Sequence, residues 1–232
     1  MKLYIRMKGT LSFVLLLNFL GIIILLVFPS KIFAQVIFSD SFDEVNPTQW
    51  TSSAYNFPIT GWVIQSGMYG YPLPLVTTTN SYPTIWDYAN KNISYEVDLI
   101  EVYGGVNKNI LVKYVDDYNF INVHSNNEGT HLVGYVNTDQ VAYFSYFYPK
   151  TLSNGELHHY KIDIIDNTIT VYIDNELIFD HLEDPIMFEN WRIGLRTSVG
   201  TKTWFDNLIV TQLDTTASKT VFAPGLMGSW NE

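Results

Sequence analysis

Residues Tyr160–Asp180 read YKIDIIDNTITVYIDNELIFD, and their period of two decides the fold class. Ile162 and Ile164 fall on one face and Lys161 and Asp163 on the other, the alternation an extended strand imposes. Asp166-Asn167 breaks the pattern. Ile169, Val171 and Ile173 resume it until a second break at Asp174-Asn175, after which Leu177 and Phe179 alternate again. Asp and Asn tolerate positive φ and hydrogen-bond back to nearby backbone, so each break reads as a two-residue hairpin turn. The segment is a β-meander, and its one-sided apolar pattern requires a second layer to cover it.

Working outward, the same short alternating runs recur from residue 36 onward. They are Val36–Asp43, Gly61–Gln65, Met68–Tyr71, Ile93–Val102, Asn109–Val115, Asn119–His124, His131–Tyr135, Ala142–Tyr146, Leu157–Ile164, Thr168–Ile173, Glu176–Asp180, Trp191–Thr197 and Phe205–Leu213. Helix signals are nearly absent after residue 35. The 232-residue chain is 47% hydrophobic and 16% charged, with 16 Tyr, 14 Phe and 6 Trp. That composition supports a globular core, rules out disorder and favours strands and turns. Asp214 to Lys219 is polar and patternless and reads as a linker, leaving residues 36–213 as the body.

The first 34 residues read as a targeting segment. Lys2, Arg6 and Lys8 form a positive start, Leu11 to Phe28 is an apolar run of about 18 residues, and Ala34 offers a cleavage point before Gln35. A cleaved signal peptide and a retained membrane anchor both fit, and both place the body outside the cytoplasm. This leader holds four of the 13 basic residues and none of the 23 acidic ones, so the body is more acidic than the chain's formal −10. Such a surface repels nucleic acid and anionic membrane, leaving the N-terminal segment as the one membrane contact, and it suits calcium or neutral polar ligands. No cysteine is present, which excludes disulfides, thiolate nucleophiles and thiolate metal sites. The five histidines lack zinc-ligand spacing, and His158 and His159 would point to opposite faces of a strand.

Several stretches together resemble concanavalin A-like jelly-roll domains, in particular the laminin-G-like members. FSDSFDEVNPTQW resembles their first strand and following Trp. ISYEVDLIEV with NILVKYVDDYNFINVHSN resembles their paired central strands, HHYKIDIIDNTITVYIDNELIFD their hairpin pair, and WRIGLRTSVGTKTWFDNLIV their closing strands. The matches follow the family's order across the body. They imply a jelly-roll β-sandwich of two antiparallel sheets, an architecture shared by lectins, adhesion modules, glycosidases and inert spacers.

Three constellations could carry chemistry on that frame. Glu96, Asp98 and Glu101 form an E-x-D-x-x-E pattern that resembles the catalytic strand of retaining laminarinase-type glycosidases, with Glu96 as nucleophile and Glu101 as acid/base. Retention needs the two carboxyls about 5–5.5 Å apart. A regular strand puts Glu101 opposite Glu96 and Asp98, so this reading requires a bulge near Ile100. The alternative has Ile93, Tyr95, Val97 and Leu99 facing the core and the acids facing water. Asp40 and Asp43 near the start, with Asp206 and Asn207 near the end, offer hard oxygen ligands for a structural Ca²⁺. Otherwise Asp43 caps a turn and the other side chains bond backbone. Asp116-Asp117 reads as a hairpin turn with a calcium loop as its alternative. Tyr114, Tyr118, Phe120, Tyr143 and Trp204 are aromatics suited to stacking on sugar rings on the concave sheet, against the alternative that such residues fill a core.

The chain ends in KTVFAPGLMGSWNE. Residues 220–232 resemble the oxyanion-loop strand that opens α/β-hydrolase lipase domains, where the amides of Leu226 or Met227 would be the donors. No G-x-S-x-G nucleophile elbow accompanies them. The sequence is therefore expected to encode an exported, non-catalytic module for glycan or cell-wall polysaccharide, accessory to a hydrolase domain that lies elsewhere. The alternatives are a glycosidase using Glu96 and Glu101, and an inert surface spacer.

Overall fold

Strands form wherever alternation meets turn chemistry, and the computed structural model shows where each begins and ends. It describes residues 34–44, 49–54, 57–58, 61–72, 78–83, 92–103, 107–137 and 141–213. The leader before Ala34, the linker at 214–219 and the tail with Leu226 and Met227 lie outside the described residues. Among the described residues no helix is long and apolar enough to cross a membrane.

Sixteen strands are present among the described residues: β1 Gln35–Asp40, β2 Trp50–Ala54, β3 Phe57–Pro58, β4 Val63–Gln65, β5 Met68–Gly70, β6 Thr79–Pro83, β7 Ile93–Tyr103, β8 Lys108–Asp116, β9 Asn119–Ser125, β10 Thr130–Tyr135, β11 Phe144–Tyr148, β12 Leu157–Ile165, β13 Thr168–Ile173, β14 Glu176–Glu183, β15 Arg192–Thr197 and β16 Lys202–Gln212. They build two eight-stranded antiparallel sheets. Sheet A runs β14-β13-β12-β7-β16-β5-β4, with β1 also paired to β16, and sheet B runs β11-β10-β9-β8-β15-β6-β2-β3. The Tyr160–Asp180 meander forms most of β12, all of β13 and most of β14. At its second turn Asp174 and Asn175 both take positive φ, 53° and 64°, which a type I′ turn demands. β1, β5 and β15 sit where the alternation placed them, whereas β2, β3 and β6 carry no apolar alternation and are found only in the structure.

The inner faces meet in one core. Sheet A supplies Tyr95, Val97 and Leu99 from β7 and Ile162, Val171, Phe205 and Leu208 from its neighbours. Sheet B supplies Ile110, Val112, Ile121, Val123, Ile193 and Leu195. Asp40 organises one corner. Its Oδ1 accepts the Phe42 amide at 2.8 Å and its Oδ2 accepts Trp50 Nε1 at 2.8 Å. These bonds hold Phe42 at φ 52° while its ring, 1% exposed, stacks on Tyr69 at 5.1 Å.

β8 departs from regular alternation. Leu111 pairs with Asn122, Lys113 with Ile121 and Tyr114 with Phe120, so a bulge lies between Leu111 and Lys113. Val112 and Lys113 both turn inward. Lys113 Nζ meets Asp184 Oδ2 at 2.6 Å beside the Trp191 ring, and Asp184 Oδ1 accepts the Ile186 amide. The extra residue returns Tyr114 to the outer face of sheet B, where strict alternation from Ile110 would have buried it in the core.

Candidate functional site

The outer face of sheet B carries cross-strand rows of polar and aromatic side chains. One row follows the register His131, His124, Asn109, Arg196, Asn80, Ser53 across six strands. A second aligns Tyr135, Phe120, Tyr114 and Arg192. Between them Asn122, Leu111 and Gly194 are neighbours. A Cβ on Gly194 would sit 3.0 Å from the Ser81 carbonyl and 3.0 Å from Leu111, so glycine keeps the middle of the face low. Leu111, Tyr114 and Phe120, with Tyr82 and Tyr135, form a small apolar cluster outside the main core.

A cavity of about 220 Å³ opens on this face, walled by Asn107, Asn109, Asn122, His124 and Arg196 among others. The amide orientations follow from one fixed acceptor. Asn109 Nδ2 donates to the backbone carbonyl of Asn107 at 3.1 Å and to Ser198 Oγ at 2.8 Å, so its Oδ1 must accept. Asn122 Nδ2 donates to that oxygen at 2.8 Å. This leaves Asn122 Oδ1, on a side chain in a residue 4% exposed, with no partner among the described residues. A buried acceptor left unsatisfied is costly and is retained where a ligand or water completes it. His124 Nε2 lies 2.6 Å from Asn107 Oδ1. Burial foremost, with His131 and Arg196 alongside, pushes the His124 pKa down to about 4. The imidazole is therefore neutral at ordinary pH.

The arginines are held from below and from one side. Arg196 lies over the Phe120 ring at 4.5 Å and Arg192 over Tyr82 at 5.1 Å. Arg196 Nη1 also donates to Asn80 Oδ1 at 3.4 Å, and Asn80 Nδ2 donates to Asp117 Oδ1 at 2.5 Å. The same Asp117 oxygen accepts Tyr114 OH at 2.7 Å and Ser53 Oγ at 3.0 Å. Burial raises the Tyr114 pKa above the ordinary phenol value, so the hydroxyl stays protonated and donates. Asp117 thus anchors, through Asn80, the guanidinium at the cavity wall. Asp116 instead closes the β8–β9 turn by accepting the Tyr118 and Asn119 amides, so the Asp116-Asp117 pair is a hairpin turn.

The aromatics expected to form one sugar-stacking surface separate into different places. Tyr114 and Phe120 are together, but they are 2% and 4% exposed and their rings pack on one another's neighbours and on arginine. Tyr118 sits in the β8–β9 turn and Tyr143 projects from the segment before β11, 62% exposed. Trp204 belongs to sheet A, on its outer face under Lys202. The periodicity of β16 could not show which sheet it joined.

The expected carboxylate pair also separates. Glu96 and Asp98 stand on the outer face of sheet A, around His159, whose Nδ1 lies 2.7 Å from Asp98 and Nε2 3.5 Å from Glu96. Glu101 is fully buried on the opposite face, 3.7 Å from Lys108 Nζ. β7 runs from Ile93 to Leu99 without the bulge that would bring Glu101 round, so the two glutamates do not flank a common substrate. The strand instead follows the alternative with Ile93, Tyr95, Val97 and Leu99 in the core.

The expected calcium ligands do not make one shell. Asp40 and Asp43 share a cavity of about 610 Å³ with Asn207. However, both Asp40 oxygens serve Phe42 and Trp50, Asp43 accepts Ser41 Oγ, and Asn207 Nδ2 donates to Asp98. Asp206 accepts the Asn207 amide, and its pKa is raised by burial first and then by Asp98 and Asp43. Among the described residues no group of three or more Asp, Glu or His side chains is arranged to hold a metal ion.

The residues that sequence reasoning missed are Asn109, Asn122, His124 and Arg196. A signal for them existed: NILVKYV and NFINVH place asparagine between apolar residues on strands, where a polar face within a buried sheet is required.

No protein-family model matches the sequence. Comparison with curated proteins found no match. Solved structures do match. A carbohydrate-binding module, CBM66 from Bacillus subtilis, is 14% identical, covers 70% of this chain and 95% of its own, and has a TM-score of 0.55. The carbohydrate recognition domain of Emp47p is 12% identical over 77% of this chain and 97% of its own, with a TM-score of 0.57. SCLam, a non-specific endo-β-1,3(4)-glucanase of family GH16, is 12% identical over 80% and 94%, with a TM-score of 0.58. At these identities the likeness is one of fold: the chain has the concanavalin A-like jelly roll.

Proposed function

We propose that this chain is an exported glycan-binding module whose binding surface is the outer face of sheet B. The observation that carries the reading is the Asn107–Asn109–Asn122–His124 network. It lines a cavity with fixed hydrogen-bonding groups and leaves the oxygen of Asn122, buried in the cavity wall, with no hydrogen-bond partner among the described residues. Sugar hydroxyls, each both donor and acceptor, are the natural complement of such a wall. Two of the matched folds are named for carbohydrate binding or recognition, which agrees with this use of the architecture.

The module is further proposed to be accessory to a hydrolase, from the likeness of residues 220–232 to an oxyanion-loop strand. A reading frame that continues past codon 232 into a G-x-S-x-G elbow is the expected finding, and a stop codon there removes the accessory role. For the binding role, a glycan array should show retention that falls about tenfold in Asn122→Ala, the loss of one or two hydrogen bonds. An array without a hit, or binding indifferent to Asn122, sinks the reading. Hydrolysis of a β-glucan that disappears in Glu96→Gln would replace it with an enzyme.

A further inference from the structure

We infer that the binding face continues past the cavity, across β9 and β10, to the exposed ring of Phe147 on β11, and that it takes a neutral oligosaccharide laid across the strands with one sugar stacked on that ring. This rests on the glycan-binding reading and adds to it a second subsite and a class of ligand.

Position is the first reason. Phe147 is the register partner of His131, His131 pairs with His124, and His124 pairs with Asn109. The ring therefore extends the row that walls the cavity, and it stands three strands out from Asn109. At about 4.8 Å between strands that is roughly 14 Å, further than a single sugar ring reaches. The ring centroids of Phe147 and His131 are 4.9 Å apart, and those of His131 and His124 are 6.0 Å apart. A strip of rings thus joins Phe147 to the cavity. β11 ends sheet B on this side, so no described strand stands in the way of a chain that runs on past Phe147.

The second reason is how the ring is presented. Phe144 and Tyr146 of β11 pack against the core, while Phe147 is 54% exposed on the outer face. His131 lies against the ring, and Gly129 makes room beside it. A Cβ on Gly129 would stand 2.5 Å from Phe147 Cε2 and 2.5 Å from the Tyr148 carbonyl. A side chain already held in place gives up little rotamer freedom when a ligand covers it. The next residue on its side of β11 is Ser145, and the next exposed ring, Tyr143, lies beyond that serine. The exposed apolar area is thus about one ring, far short of the roughly 800 Å² per partner that a stable protein interface buries. The apolar face of a pyranose has that smaller size, and its C–H bonds meet the negative face of the π-system.

The third reason is charge. Between Asn119 and Tyr148, Glu128 in the β9–β10 turn is the one Asp, Glu, Lys or Arg among the described residues. His124 is neutral at ordinary pH, because burial foremost pushes its pKa down to about 4. Arg196, at the cavity wall beyond Asn109, is stacked over Phe120 and bonded to Asn80. In a chain of formal charge −10, this strip is uncharged. A charged polymer laid on it would lose hydration and find no ion pair in return. Amide groups at one end and an open ring at the other suit a neutral sugar chain, polar at its rim and apolar on its faces.

The test is calorimetric titration of the full chain with glucose, xylose, laminarihexaose, cellohexaose, xylohexaose and hexagalacturonate. A neutral hexasaccharide should bind at least tenfold more tightly than either monosaccharide and more tightly than hexagalacturonate. Phe147→Ala should weaken that hexasaccharide about tenfold, the contribution of one stacked ring. Phe147→Tyr should keep the affinity, and Phe147→Leu, apolar but not planar, should lose it as Phe147→Ala does. A monosaccharide bound as tightly as the hexasaccharides, hexagalacturonate preferred to every neutral sugar, or Phe147→Ala binding like the parent would overturn the extended neutral site and leave glycan binding standing. A parent that sediments as a dimer beside a monomeric Phe147→Ala overturns it in favour of a second copy of this chain on the ring. Silence toward the whole panel removes the glycan reading and this inference together. The comparisons of ligand length and charge use the parent protein, so they decide even where a variant fails to fold.

Discussion

Replacing Lys113 by Met strips the cation from an ion pair sealed between the sheets. Its Nζ lies 2.6 Å from Asp184 Oδ2, and the two side chains are 7% and 1% exposed. At an effective dielectric constant near 20 the attraction at that distance is about 6 kcal/mol. Withdrawing the two ions from water costs several kcal/mol each, so the intact pair is near neutral for stability. Removing one partner leaves the desolvation of the other unmatched, at about 3–5 kcal/mol. Asp184 cannot relax to solvent without surrendering the Ile186 amide that its other oxygen holds. For a domain of this size each kcal/mol moves Tm by about 2–4 °C, so Lys113→Met should melt roughly 6–20 °C lower. The double variant Lys113→Met/Asp184→Leu should regain most of the loss, since it removes both charges. Urea melts followed by tryptophan fluorescence measure all three proteins against the parent. A single variant costing under about 1 kcal/mol, or a double variant as damaged as the single one, would refute the reasoning.

Trp50→Phe keeps a ring against Phe42 and Tyr69 but removes the indole donor to Asp40. It should cost about 1.5–3 kcal/mol, the loss of a hydrogen bond to a charged acceptor, read in a denaturant melt. Gly70→Ala would place its Cβ 2.3 Å from the Thr203 carbonyl, a backbone atom that cannot step aside. It should destabilise by about 1–3 kcal/mol, more than Gly155→Ala, which meets nothing within 4 Å and carries only the strain of φ 73°. Equal melting temperatures for these two variants would contradict the packing of β5 on β16. His124 binds its proton near pH 4 in the fold but near 6.5 when the chain is unfolded. The unfolded state therefore holds the extra proton between those values, and stability falls as pH drops through that window, by up to about 3 kcal/mol. His124→Gln should flatten the slope there, and a slope unchanged from the parent's would remove His124 as its source.

The strands with a clean period of two were legible because their two faces meet different media. β12 and β13 have a core side and a wet side, and the sequence shows it directly. β2 and β6 were not legible. WTSSA and TNSYP bury Ser53, Thr79, Asn80 and Ser81 in a sheet whose outer face is itself built of hydrogen-bonding side chains. A search for apolar alternation passes over them. The site was lost for the same reason. Its aromatics attracted notice by type, yet they are the floor, and the groups that meet the cavity are asparagines, a histidine and an arginine whose convergence depends on the pairing of β6, β8, β9 and β15. The β8 bulge was a further obstacle, since Ile110, Val112 and Tyr114 look like one face and belong to two. On β7 the reverse held, because plain alternation already placed Glu101 away from Glu96.

The pairing of β1 with β16 has a mechanical consequence. Gln35 and Gln212 are register partners at the end of an antiparallel ladder that closes at Asp40 and Leu208. A pull applied through residues 34 and 213 therefore loads the ladder bond by bond from its open end instead of shearing all of its bonds at once. The domain resists such tension only as strongly as its outermost pair, and yielding would begin by peeling β1. That peeling runs toward Asp40, whose bonds to Phe42 and Trp50 pin the aromatic corner, so the carboxylate marks where an unzipping clasp meets its first firm stop.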